Sequence, residues 1–433
     1  MIEILNIFFL FFVFSLISFF NVNKNTLSIN VLNNIILFIN LSLFFSFINH
    51  SSQFFLIGYI IFCLIIFFTK FDKLSFINLK KGIKHNSVYL ILLITIFFIL
   101  SVDIIVNLKL GWDAQNFIFS KTLHFINDGS FSDLAKLDQP HYSHLGSYLW
   151  AIFWNNGFFS NEYNGRLFYL FFFLISLFNF CNYFQNKKIF ILSILIFLIF
   201  FYKYKYFFGA QEILNFSLFL ILSSTIYRRC ILNEKVNFFE YILLINLFMW
   251  FKNESIIILF LIIFYFIFFS GKLISNKEKL ILFSSSILLF LLRIGVFFYI
   301  DNKVVETMPL FDYQFDKTFS ITAEIFFDNL KIVSYYFAGN IFVNPYLLLS
   351  YLLTICVIIF RSLLSGFGRS FLMYCIIFHT IFTYVAFMFN FYDVEFQTRV
   401  AMDRFLISTC GIYSLVYLII YNKFKLQNDT KNL

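Results

Sequence analysis

Long apolar runs recur from one end of the chain to the other, and no other feature limits its fold so strongly. Segments such as FFLIGYIIFCLIIFF at 54–68 and VYLILLITIFFIL at 88–100 carry no charge at all. Charged residues make up 13% of the sequence, against about 25% in an ordinary soluble domain. A water-soluble globule cannot hide that much apolar surface, whereas a bilayer accepts it, provided every backbone polar group is satisfied within helices. The expectation is an all-α polytopic transmembrane protein. A soluble enzyme, a nucleic-acid binder and a disordered chain are excluded. The 73 phenylalanines rise together with Ile, Asn, Lys and Tyr, a compositional bias rather than a functional signal.

Hydropathy predicts about thirteen spans, near 4–21, 29–47, 54–69, 88–107, 166–185, 189–207, 214–227, 238–251, 255–270, 280–300, 341–360, 371–391 and 405–421. The stretch 143–158 is apolar but short, and it reads as a helix lying at the membrane surface. That assignment gives one consistent charge asymmetry. One side collects nineteen Lys and Arg against five acids, and the other twelve against eighteen, with Arg293 set aside inside a span. By the positive-inside rule the first side is cytoplasmic, with the N-terminus outside and the C-terminus inside, in a plasma membrane. The three spans of 1–87 read as an N-terminal extension to the rest of the membrane region at 88–433. The longest polar connections, 108–165 and 301–340, both lie on the outer side, where chemistry is expected.

Six cysteines stand singly in or beside apolar runs, without metal-ligand or disulfide spacing, and read as buried packing residues. His379 reads the same way. No nucleotide-binding motif is present.

The first outer loop carries most of the polar signal. It opens with Trp112-Asp113, continues as an amphipathic helix over 113–127, and turns at Asn127-Asp128-Gly129. Asp138, Pro140, His141, Tyr142 and His144 follow, and the loop closes with Glu162 and Arg166. Later come Lys252-Asn253-Glu254 between two apolar runs, and Arg399 and Arg404 before the last span. The order Asp113-Ala114-Gln115-Asn116-Phe117, Gly129, Pro140-His141-Tyr142-Ser143-His144-Leu145 and Arg166-Leu167, with Lys252-Asn253-Glu254-Ser255, resembles the GT-C superfamily of membrane glycosyltransferases. Thr398-Arg399 through Asp403-Arg404 resembles a charged outer turn before the last span in bacterial members. The chain departs from the pattern where Ser143-His144 replaces paired prolines and where a single Asp precedes Ala.

The resemblance implies transfer of a monosaccharide from a polyprenyl-phosphate donor to a glycan, lipid or protein acceptor at the outer face. Asp113 would be the general base, with Asp103, deeper in its span, as the rival acid. Lys252, Arg399, Arg404 and Arg166 would hold the donor phosphate. His141, Tyr142, His144 and Glu254 would contact substrate. His141 and His144 with Asp113 could alternatively hold a divalent metal, although no cofactor is firmly indicated. Lys203 and Lys205 among tyrosines suit interface anchoring, and Asp128 and Asp133 suit solvated loop positions. The aromatic outer segment 301–340 suits an acceptor-side cover. Two other functions fit the same layout. One is an O-antigen-polymerase- or ligase-like enzyme acting on polyprenyl-pyrophosphate glycans, and the other is a lipid-linked glycan transporter or flippase, which would show mid-span charges and broken helices.

Overall fold

In a computed structural model of the protein, described residues are 9, 13–15, 27–48, 52–70, 87–106, 110–111, 114–137, 139–140, 142–155, 160–202, 211–271, 273–303, 322–360, 366–389 and 393–431. Among them the chain is helical almost throughout, with one isolated bridge between Asn155 and Ser160. Three long apolar helices come first: α1 (Leu27–Ser46), α2 (Ser52–Lys70) and α3 (Ser87–Val106). The first outer loop follows, folded as a π-helical turn (Ala114–Ile118), α4 (Phe119–Ile126), a 3-10 turn (Phe131–Lys136) and α5 (Leu145–Trp154). Then come α6 (Tyr163–Cys181), α7 (Lys187–Tyr202), α8 (Glu212–Ile226), α9 (Phe238–Phe251) and α10 (Asn253–Phe268). The remainder is α11 (Asn276–Asp301), α12 (Ala323–Val343), α13 (Pro345–Ile359), α14 (Phe367–Met388), α15 (Val394–Thr409), a 3-10 turn (Cys410–Ser414) and α16 (Leu415–Lys431).

Helices that are apolar all round end up buried all round. Every residue of α6 from Asn164 to Cys181 is buried, and so is all of α8. These two pack on each other at the centre, with α1, α3 and α5 around α6 and the turn Cys410–Ser414 against α8. Gly411 permits that last approach. A Cβ there would lie 2.6 Å from the Phe216 carbonyl oxygen, and Ser223 donates to the Gly411 and Ile412 carbonyls at 3.0 Å. On the periphery, α2, α3 and α11 leave most of their apolar surface outward, as lipid-facing helices do.

Seven helices among the described residues are long and apolar enough to cross a membrane, or eight if one bent pair counts as a span. Thirteen spans are therefore not supported. The helices expected near 189–207, 214–227, 238–251 and 255–270 do form, but they have 16, 15, 14 and 16 residues. At 1.5 Å per residue α9 and α10 reach about 21–24 Å, short of a hydrocarbon core of about 30 Å, whereas α8 continues into a π-helical turn at Tyr227–Ile231 and α7 runs up to residues outside the described ones. The expected first span falls almost wholly outside the described residues.

Two further expectations need correction. The segment 143–158 does contain a short helix that does not span, but α5 is not laid on a surface: Leu145 to Phe153 are all buried, wedged between α4, α6, α1 and α2. The segment 301–340 is not wholly a polar loop either, because α12 begins at Ala323. It runs to Asn344, where the chain turns through 99° into α13. Asn344 caps α13 through its side chain, and Pro345 occupies the first turn, so the break is written locally in Asn344-Pro345. Residues 304–320, including the aromatic stretch expected to act as a cover, lie outside the described residues.

Candidate functional site

Charged side chains collect at the two opposite ends of α8 and α9. The end holding the start of α8 and the close of α9 is the richer one. Here α9 gives way to α10 across a single extended residue, Lys252. Its Nζ donates to Glu212 Oε1 at 2.9 Å and to Glu254 Oε1 at 3.0 Å. Glu212, the first residue of α8, is 2% exposed, and the charge of Arg404 acts on it as well. One turn further in, Ser255 of α10 donates to Asn215 of α8, and Asn215 Nδ2 donates to the Ser408 carbonyl of α15 at 3.3 Å. These polar contacts fix the ends of α8, α10 and α15 at one level.

The first-loop elements close over the same end. Tyr169 of α6 donates to the Gly146 carbonyl of α5 at 2.7 Å and feels the Glu212 charge. A Cβ at Gly146 would sit 2.4 Å from Gln211 Nε2, so α5 lies close against the residue before Glu212. One turn before Tyr169 on the same face stands Arg166, fully buried, donating from Nη2 to Glu162 Oε2 at 2.6 Å. Arg166 Nε and Nη1, Glu162 Oε1 and Glu212 Oε2 are buried without a hydrogen-bond partner among the described residues. Buried polar atoms normally find partners, so this end retains unused donor and acceptor capacity.

The structure thus brings together Lys252, Glu254 and Arg404 of the expected residues, while Arg166 on α6 is paired with Glu162. Arg399 is exposed on α15, and Asp103 is exposed on α3, turned from the bundle interior. Asp113 and His141 lie outside the described residues, as do Asp138, Lys203 and Lys205. Tyr142 is 36% exposed, packs edge-on against Phe117, and accepts from Lys121 through its carbonyl. His144 is not an open substrate contact. It is 1% exposed, bonded to Ser46 Oγ at 2.9 Å, and enclosed by Phe47, Phe125, Phe131 and Trp250. Burial, then the Arg293 and Lys121 charges, push its imidazole well below the ordinary 6.5, so it is neutral. Asp133 is a turn residue whose carboxyl is held down at about 2 by Lys136 and Ser130. His379 is a satisfied packing histidine, bonded to Tyr413 and Thr409. The six cysteines are all free.

Sequence reasoning missed Glu212. The signal was present as a single acid at the mouth of an otherwise uncharged run, facing across to a lysine in the next polar break. Among the described residues no group of three or more His, Cys, Asp or Glu converges as a metal site would require. No family model, characterised protein or solved structure matches the chain.

Proposed function

We propose that the protein is a membrane glycosyltransferase of GT-C type, moving a monosaccharide from a polyprenyl-phosphate donor to a glycan, lipid or protein acceptor. The observation that carries this reading is the convergence of Lys252, Glu212, Glu254 and Arg404 at one end of the bundle, together with a fully buried Arg166, one turn before Tyr169 on α6, whose Nε and Nη1 have no partner among the described residues. A phosphate diester at a membrane surface needs cations held in a partly desolvated pocket, and guanidinium N–H groups match its oxygens in pairs. In this reading Lys252 exchanges a carboxylate for the donor phosphate, and the carboxylate released orients the acceptor. Asp113, at the start of the first-loop helices, takes the acceptor proton. The charged end faces outward from a plasma membrane, since the opposite end carries the basic loops.

A second reading, transport of a lipid-linked glycan, draws on the 99° break at Asn344-Pro345 and on the charge of Arg293 within a span. One experiment separates the two. The protein in proteoliposomes is offered a panel of radiolabelled polyprenyl-phosphate monosaccharides, and wild type is compared with Asp113→Asn. Sugar transfer that disappears in the variant while donor binding persists supports the enzyme and its base. Transfer that is unchanged keeps the enzyme and moves the base elsewhere. Movement of lipid-linked sugar across the bilayer with no transfer overturns the transferase in favour of the transporter.

A further inference from the structure

Buried polar groups also stand without partners at the start of α5. A helix leaves the amides of its first turn without intrahelical acceptors, and a buried start normally has a capping side chain to take them. Here that cap is missing. His144 occupies the cap position but makes no side-chain cap. Its Nε2 lies 2.9 Å from Ser46 Oγ, and the Ser46 hydroxyl donates to the Leu43 carbonyl, so the ring donates towards α1. The first backbone bond at this end runs from the Tyr148 amide to the His144 carbonyl at 2.9 Å. The amides of Leu145, Gly146 and Ser147 have no acceptor among the described residues.

Two side chains add to this set independently. Ser147 stands at the third helical position, from which a side chain reaches back to the helix start, and Ser143 directly precedes the cap. They are 0% and 7% exposed, and neither hydroxyl has a partner among the described residues. Gln211 lies against Gly146 and brings its carboxamide to the same turn. Lys121 supplies a cation. Its Nζ donates to the carbonyls of Gln139 and Tyr142 at 2.6 and 2.9 Å, one residue before Ser143, and it pairs with no carboxylate among the described residues. Glu212, the residue after Gln211, is drawn instead to Lys252 at 2.9 Å. What remains is a buried group of amides and hydroxyls at the positive end of a helix. An oxyanion answers such a group, because its oxygens take several N–H and O–H bonds at once and its charge suits the helix dipole.

We infer that the start of α5 binds a phosphate group, held by the amides of Leu145, Gly146 and Ser147 and the hydroxyls of Ser143 and Ser147. Free phosphate and a lipid-linked phosphate ester share this chemistry, and the experiment separates them. The site is built without Lys252, so it stands whether or not the transferase reading does.

The test uses the full chain purified in detergent and titrated at constant ionic strength with sodium phosphate, farnesyl phosphate, farnesol or sodium chloride, while thermal unfolding is followed. The expected result is a saturable rise in melting temperature with a phosphate-bearing probe and none with farnesol or chloride. A rise with both phosphate probes shows that the free ion suffices, and a rise with farnesyl phosphate alone makes the ligand lipid-linked. Ser143→Ala combined with Ser147→Ala weakens binding by about tenfold or more, the effect of losing two bonds to a charged acceptor. Ser147→Asp places its own carboxylate at the helix start and abolishes the response, with helical circular dichroism retained. Lys252→Met keeps the response. No rise with either phosphate probe overturns the inference, and so does an equal rise with farnesol. A response unchanged in both folded serine variants overturns it too, as does one lost in folded Lys252→Met and kept in the serine variants.

Discussion

The two ends of the central helices carry similar charges but use them differently. At one end, just beyond α8, Arg229 donates from Nε and Nη2 to both oxygens of Glu278 at 2.9 and 2.8 Å. Glu278 also accepts from the Ser275 amide in the capping box that starts α11. Arg228 is shared between Glu234 and Glu240 in the same region. Those arginines and carboxylates face one another in matched sets, which is what a latch between helices requires. At the other end Lys252 is divided between two carboxylates, while Arg166, Glu162 and Glu212 keep buried polar atoms without partners among the described residues. A closed set holds helices together, whereas an open set can take a ligand. The proposed function rests on this difference more than on the number of charges.

Substitutions at the two ends sharpen that contrast. The largest effect is expected for Lys252→Met, which removes the shared cation and leaves Glu212 buried. Sugar transfer in proteoliposomes falls by about 100-fold or more, as when a preorganised electrostatic contact is lost. The melting temperature falls as well, since an ion pair broken on one side leaves an uncompensated buried charge. Arg166→Lys keeps the charge beside Glu162 but loses the planar fork. Transfer drops by about tenfold with the helical circular dichroism unchanged. Arg229→Gln, at the matched end, costs about 1–2 kcal/mol of stability in a denaturant titration and leaves transfer at the wild-type rate.

A further effect concerns pH. Burial first, and the Arg293 charge second, push the Lys121 ammonium down to about 7. The unfolded chain keeps its ordinary lysine affinity, so between about pH 7 and 10 it binds more protons than the folded one. Stability therefore rises with pH across that window and is lower below it. A melting series from pH 7 to 10 shows this rise in wild type, and Lys121→Met flattens it.

Much of the architecture was legible. The uncharged runs of α1, α2 and α3 and the one-residue break at Lys252 all stand where hydropathy and polarity put them. The turn after α4 does too, with Asp128 in the left-handed region at φ 57°. What was not legible follows from one physical fact: apolar residues look the same whether they face lipid or protein. α5 read as a surface helix because its flanks are polar, yet its own residues pack inside. α9 and α10 read as spans, yet their helices have only 14 and 16 residues. Glu324, Asp328 and Lys331 made the start of α12 look like loop, although the residues after them are mostly apolar and helical to Val343. The site was half legible: Lys252, Glu254 and Arg404 were visible as charges at helix ends. Glu212 was not, because only the packing of α8 against α10 and α15 shows that its carboxylate meets them.

The most direct test of the account is donor binding at the two ends. A radiolabelled polyprenyl-phosphate monosaccharide is bound to reconstituted wild type, Lys252→Met and Arg229→Gln, each verified as folded. The account predicts saturable binding to wild type and Arg229→Gln and its loss in Lys252→Met. Equal binding by all three, or loss confined to Arg229→Gln, contradicts it.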